Sequence, residues 1–349
     1  MQRISKRHFL KLGAATGALA LTGIPRLQAA TPKLTVNTYG GLYATAVNEN
    51  FIAHYKKATG NDAEAITDVP SAALSKIRAT MPKPDYDLFV ATANDTLRAI
   101  DLGLVEEIRP DKLPGLKNLM PEAYTQWGNK AVSFSYGTGG FLYDTRKIPN
   151  PPKTWVEFAE RTAKGEFGRT VAVPSATQAG VLEAFVYPIV HSFGGTLADP
   201  TVGFQKIAAM TPYIAKFYGD MSEVVNLMAN GEITIAPYVD GRAWAFVDKN
   251  PWANFIVPEK GGVFQSSQIM KVKGSPDAAW ELMDAFINTE ADEGFVKVIK
   301  YPVTNQAVKY PEAMAARITK PEDILYPPFA EIAKLTPELI ERWNKEIGG

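Results

Sequence analysis

The sequence predicts an α/β protein of two lobes, each a sheet flanked by helices. Three observations carry this. Strand-like and helix-like segments alternate from residue 34 onward, the pattern of sheets covered by helices. The densest turn chemistry falls at Gly137-Thr138-Gly139-Gly140 and again at Glu259-Lys260-Gly261-Gly262. Two such breaks, far apart in sequence, suit a chain that leaves one lobe and later returns to it. The chain has 349 residues, enough for two domains with cores of their own.

The elements follow in order. Residues 34–38 (LTVNT) form a short strand that runs into a turn at Tyr39-Gly40-Gly41. Helical spacing through Val47, Phe51 and Tyr55 ends at Thr59-Gly60. Residues 87–91 (DLFVA) read as a buried strand, and Asn94 or Asp95 is placed to cap the helix carrying Leu97 and Ile100. Residues 131–135 and 141–143 are two further strands. Thr154 caps a helix containing Trp155, Phe158 and Ala159. Residues 171–173 are a strand, and Ser175 or Thr177 starts an apolar helix through Leu182, Phe185 and Ile189. Residues 234–236 are another strand, with a helix from Arg242 or Ala243. The alternation argues for largely parallel sheets.

Residues 1–30 have another character. A basic head (SKRHFLK, residues 5–11), a Gly/Ala/Leu run to Ile24 and a small-residue end at residues 27–30 describe a secretory signal peptide cleaved near residue 29 or 30. The head resembles a twin-arginine export signal with Lys6 in place of the first arginine. The apolar run is short for a membrane span. The precursor holds 37 basic and 37 acidic residues. Removing Arg3, Lys6, Arg7, Lys11 and Arg26 leaves 32 basic against 37 acidic residues, a net charge of −5. Such a surface is poorly suited to nucleic acid. No cysteine is present, which excludes thiol catalysis, iron–sulfur clusters and Cys zinc sites. His54 and His191 stand far apart in no metal-ligand spacing, and no P-loop, nucleophile elbow or dinucleotide fingerprint appears. Neither a cofactor nor a catalytic role is expected.

Several segments, in order, resemble one family. They are residues 34–43 (LTVNTYGGLY), 86–92 (YDLFVAT), 135–147 (SYGTGGFLYDTRK), 235–242 (IAPYVDGR), 257–264 (VPEKGGVF) and 340–347 (IERWNKEI). They resemble the extracellular solute-binding proteins of ABC importers, in the group that includes the polyamine-binding proteins. The resemblance implies a type II-like periplasmic-binding-protein fold with mixed sheets and a ligand cleft between lobes. It places residues 31–135 and 269–320 in lobe 1 and residues 136–268 in lobe 2, with C-terminal helices over 321–349 packing on both. It implies a periplasmic monomer that closes about a hinge near residues 136–140 and 264–269, then docks on a membrane permease driven by a cytoplasmic ATPase.

Ligands of open α/β sheets sit at the carboxyl ends of strands. The candidate contacts are accordingly Tyr39, Gly40, Tyr43, Thr92, Asn94, Tyr136, Thr138, Ser175 and Thr177, with Asp240, Arg242, Gln265 and Ser267 from the later loops. Trp244 belongs to the same set. Gly40 and Gly41 serve either close backbone approach or ordinary turn chemistry. The polyamine binders carry an aromatic and an acid where this chain has Gln265 and Ser267, a Trp where it has Val239, and an acid near Gly180, with Glu183 one turn on. A dication in a closed site needs carboxylates. The incomplete set favours a small polar solute bearing an anionic group, with Arg242 holding it. A bridge from Arg242 to Asp240 or another acid is the alternative. A polyamine remains the alternative ligand, and a chemoreceptor subunit or an enzyme the less favoured alternative roles.

Overall fold

A computed structural model describes residues 33–178 and 180–348. The expected export signal lies outside them. Ten strands form one sheet: β1 (Leu34–Thr38), β2 (Ala63–Thr67), β3 (Leu88–Ala91), β4 (Val132–Asp144), β5 (Val171–Pro174), β6 (Ile214–Tyr218), β7 (Ile235–Val239), β8 (Ala253–Ile256), β9 (Gly262–Lys271) and β10 (Ile324–Leu325). The main order is β2-β1-β3-β9-β4-β7-β5-β6, with β8 on β4 and β10 on β9. The pairs β1–β2, β1–β3, β5–β6 and β5–β7 are parallel. The pairs β3–β9, β4–β9, β4–β7 and β4–β8 are antiparallel. The sheet is therefore mixed, as the resemblance implies, and not largely parallel, as the alternation by itself suggests. The antiparallel pairs all involve β4 or β9, the two longest strands of the sheet.

β4 corrects the sequence reading most plainly. Residues 137–140 are not a turn but the middle of one strand, buried along its whole length. Its glycines serve close packing instead. A methyl group at Gly137 would stand 2.7 Å from Val239 Cγ2, and one at Gly140 would strike the Ile256 carbonyl oxygen and stand 2.7 Å from the Phe255 ring. β4 pairs with β9 from Val132↔Ile269 to Gly139↔Val263, with a register shift between Ser133 and Ser135.

The apolar core falls into two pairs of clusters. In one, Phe51, Phe134, Phe286 and Phe295 pack with Val36 and Val90, and Trp127 packs with Phe89, Phe264 and Met270. In the other, Phe141, Trp155, Phe158 and Phe185 pack with Trp343, and Tyr218, Tyr238 and Phe255 pack with Ala236. The last helix, Phe329–Glu346, serves both: Phe329 stacks on Trp127 at 5.2 Å and Trp343 meets Phe185 edge-on at 6.2 Å.

Helix starts follow local chemistry with some differences from expectation. Thr154 caps Trp155–Ala163 by accepting from the Glu157 amide. Thr92, not Asn94 or Asp95, precedes Ala93–Asp101, and its side chain makes no capping bond. Ser175 and Thr177 remain in a turn, and the helical run begins beyond them, with Leu182–Val186 as a π-turn before Tyr187–Ser192. The helix after β7 starts at Asp240.

Candidate functional site

On one side of the sheet's middle, β1 ends at Tyr39 and the helix Leu42–Ala46 brings in Tyr43. Gly41 between them has φ 65°, a conformation that favours glycine. Tyr43 is an anchored buttress. Its hydroxyl hydrogen-bonds with Ser135 Oγ at 2.9 Å, and its ring meets Phe295 edge-on at 5.5 Å. Tyr39 stands edge-on against it at 5.0 Å. The Tyr39 hydroxyl is buried without a hydrogen-bond partner among the described residues, though Ser267 is a near neighbour. Burial pushes its pKa up to about 12 and that of Tyr43 also upward. An orphaned buried hydroxyl is costly, and a solute's polar atom would relieve it. Gly40, Thr92 and Asn94 are exposed at the rim. Asp95 is partly buried, which raises its carboxyl pKa.

Tyr136 and Thr138 are less available. Tyr136 is buried and stacks on Phe264 at 5.2 Å, within the core. Thr138 is fully buried, and its hydroxyl has no partner among the described residues.

On the other side, Ser175 and Thr177 hydrogen-bond to each other at 2.8 Å just past β5. Gln265 on β9, with Gly139, Pro174, Gln178 and Tyr238, lines a small cavity of about 20 Å³. Glu183 is buried one element away, and desolvation raises its pKa. Arg242 is exposed, beside Tyr238 and Tyr301, with Asp220 also near.

The expected alternative of an Arg242–Asp240 bridge is not formed: neither residue takes part in an ion pair among those of the described residues. Asp240 is 3% exposed, and its Oδ1 accepts from the Gly241 amide at 2.6 Å. Burial raises its pKa to about 7, against the opposing pull of the Thr138 and Gly241 amides. It lines a different cavity, together with Trp244.

Tyr301 is a residue the sequence reading missed. Its ring lies over Gly241 and Gly137, where added methyl groups would stand 2.5 and 3.3 Å away. Its pKa is pushed up to about 12 by burial and then by the Asp240 charge. The Tyr301-Pro302 dipeptide directly after a helix is a turn signal that marks the position.

The groups described are hydroxyls, an amide, one guanidinium and buried carboxyls, chemistry of the kind that holds a small polar molecule. Among the described residues, no group of three His, Cys, Asp or Glu is placed to hold a metal ion, and no helix is long and apolar enough to cross a membrane. The family of bacterial extracellular solute-binding proteins matches residues 83–324, well over half of the chain. The chain belongs to that family. A putrescine/agmatine-binding protein of Pseudomonas aeruginosa is 24% identical over 274 residues, covering 72% of this chain and 74% of that protein. A crystal structure described as an ABC transporter from Clostridium perfringens matches with a TM-score of 0.80 at 20% identity, over 90% of this chain and 100% of that one. The spermidine/putrescine transporter substrate-binding protein PotD of Streptococcus pneumoniae matches with a TM-score of 0.72 at 16% identity, over 90% and 99%. These structural matches show the two-lobed fold.

Proposed function

We propose that the chain is the solute-binding component of an ABC importer, exported through its N-terminal signal, and that it captures a small polar organic solute bearing an anionic group. The lobes close over the solute about the β4 and β9 crossings, and the closed form docks on a permease. The observation that carries the anionic group is Arg242. It stands at the first turn of the helix after β7, beside two tyrosines, with no carboxylate paired to it among the described residues. A guanidinium so placed grips a carboxylate or phosphonate in a two-pronged hydrogen bond.

Calorimetry with amino acids, aminophosphonates, small carboxylates, putrescine and spermidine tests this. Arg242→Ala should weaken binding of the preferred anion-bearing solute by about 2–5 kcal/mol. Arg242→Lys should restore only part of it, lacking the planar fork. The second reading, a polyamine, is favoured by the Pseudomonas relative and by the buried carboxyl of Glu183. It would give micromolar or tighter polyamine binding, indifferent to Arg242→Ala and weakened by Glu183→Gln. That result would remove the anionic group and leave the transport reading in place.

A further inference from the structure

The helix Asp240–Val247 is gripped at both ends by residues that follow the helix Thr289–Ile299. The two helices belong to different cores. Ala243 and Trp244 pack with Tyr238 and Phe255, whereas Val296 and Met314 pack with Phe51 and Phe134. At the first end the Tyr301 ring covers Gly241 so closely that an added methyl group would stand 2.5 Å from it. At the other end Asp248, which follows the last helical residue, meets two cations from the far side. Arg317 Nη2 lies 2.7 Å from Asp248 Oδ1, and Lys300 Nζ lies 3.7 Å from Asp248 Oδ2. The Arg317 guanidinium also lies over the Trp244 ring, 4.6 Å from its centroid. A guanidinium can do both at once, because its N–H edge donates to a carboxylate while its flat face rests on an aromatic ring. The hydrogen bond from Arg317 holds the Asp248 carboxyl below the ordinary carboxylate range.

Between the two grips the sides do not mesh. A cavity of about 220 Å³ lies there, lined by Trp244 from one core and by Val296 and Met314 from the other. Packed interiors leave few voids larger than a water molecule, and atoms lining a void lack partners across it. The contact is therefore held by its ends more than by its apolar middle, and parting it leaves both cores whole. The ends also stay within reach of water. The side chains of Asp248, Arg317 and Lys300 are 36%, 33% and 64% exposed. Once parted, each charge is solvated, whereas a buried pair would leave an uncompensated charge inside the protein. Such a contact can be made and broken repeatedly.

We propose that Asp248 and Arg317, with Lys300 beside them, form a reversible latch between the two cores, which holds the closed arrangement and is weakened by salt. This rests on the capture by closure proposed above and gives it a positioning pair outside the groups assigned to the solute. The latch sets how much of the free protein is closed, and so scales the affinity for any solute by one factor. Single-molecule energy transfer on the solute-free protein tests it. The sequence has no cysteine, so dyes placed on Thr45→Cys and Asn230→Cys go nowhere else. Both positions are exposed, the first on the helix Leu42–Ala46 and the second just after the helix Met221–Ala229, and these helices pack with different cores. In about 0.05 M NaCl, where exposed charges are little screened, the wild type should show a closed and an open population. Asp248→Asn should lower the closed-to-open ratio about threefold or more, and Arg317→Gln at least as much. The double variant should lose less than the product of the two single losses, the mark of groups that act through each other. Raising NaCl to about 1 M should lower the wild-type ratio similarly and leave that of Asp248→Asn within about twofold. Two populations indifferent to Asp248→Asn, or single losses that simply multiply, would overturn the latch and leave closure standing. A single population in wild type and variants alike would overturn the latch as well, and closure is then read separately, by scattering of the solute-saturated protein.

Discussion

Asp240 is a carboxyl held away from water with only backbone amides to support its charge. Its rise from 3.8 to about 7 corresponds to roughly 4 kcal/mol of preference for the protonated form. The folded pKa lies above the unfolded one, so the folded chain holds an extra proton between about pH 4 and pH 7, and this group's contribution to stability falls as pH rises through that window. Asp240→Asn should therefore gain on the wild type by up to about 4 kcal/mol between pH 4 and pH 8, read as urea midpoints at both values. An equal difference at the two pH values would show that burial does not govern this carboxyl. Other residues show what was legible singly. The turn chemistry after β1 pointed to Tyr39, because Gly40 and Gly41 punctuate a strand-to-helix junction. Tyr136 looked equally favourable, yet it stacks into the core on Phe264, since a strand alternates its side chains between faces that the sequence alone does not identify. Tyr301 escaped because its place depends on Lys300, which ends the preceding helix at φ 57°.

Among the elements, short amphipathic helices and buried strands were readable, and the crossing strand was not. Residues 34–38 match β1 in full because the strand ends in glycine punctuation. β4 carries glycines within the strand, so turn signals and packing signals coincide, and only neighbours distant in sequence decide between them. Gly140→Ala puts a methyl group onto the Ile256 carbonyl, so it should destabilise the protein by about 1–3 kcal/mol through overpacking. Gly41→Ala meets nothing in space and is strained only by its backbone, φ 65° with ψ −138°, outside the left-handed helical well, costing about 1–3 kcal/mol. Thr154→Ala removes a helix cap and should also cost about 1 kcal/mol. Urea unfolding of the three variants checks these values. A Gly140→Ala protein as stable as the wild type would contradict the packing account of β4.

For the whole molecule, the two-lobed α/β arrangement was legible because it rests on the order and length of segments, which survive local errors. The sheet's mixed character came from the family resemblance and not from the alternation, since strand direction is set by pairings between residues more than a hundred positions apart, such as Gly139 with Val263. The solute is least legible, because a few polar groups on loops decide it while the fold tolerates many choices. Export belongs at this scale as well: the mature protein should begin near Ala30 or Thr31, and an N-terminal sequence retaining Met1 would contradict cleavage. If the solute bridges the lobes, saturation at about 100 times Kd should add roughly 2.7 kcal/mol of stability. The measurement that bears most directly on capture by closure is small-angle scattering of the protein, freed of solute and then saturated with the solute recovered from native purification. The account predicts a smaller radius of gyration in the saturated sample, with the solute recovered chemically unchanged. Superimposable profiles at saturation would contradict it.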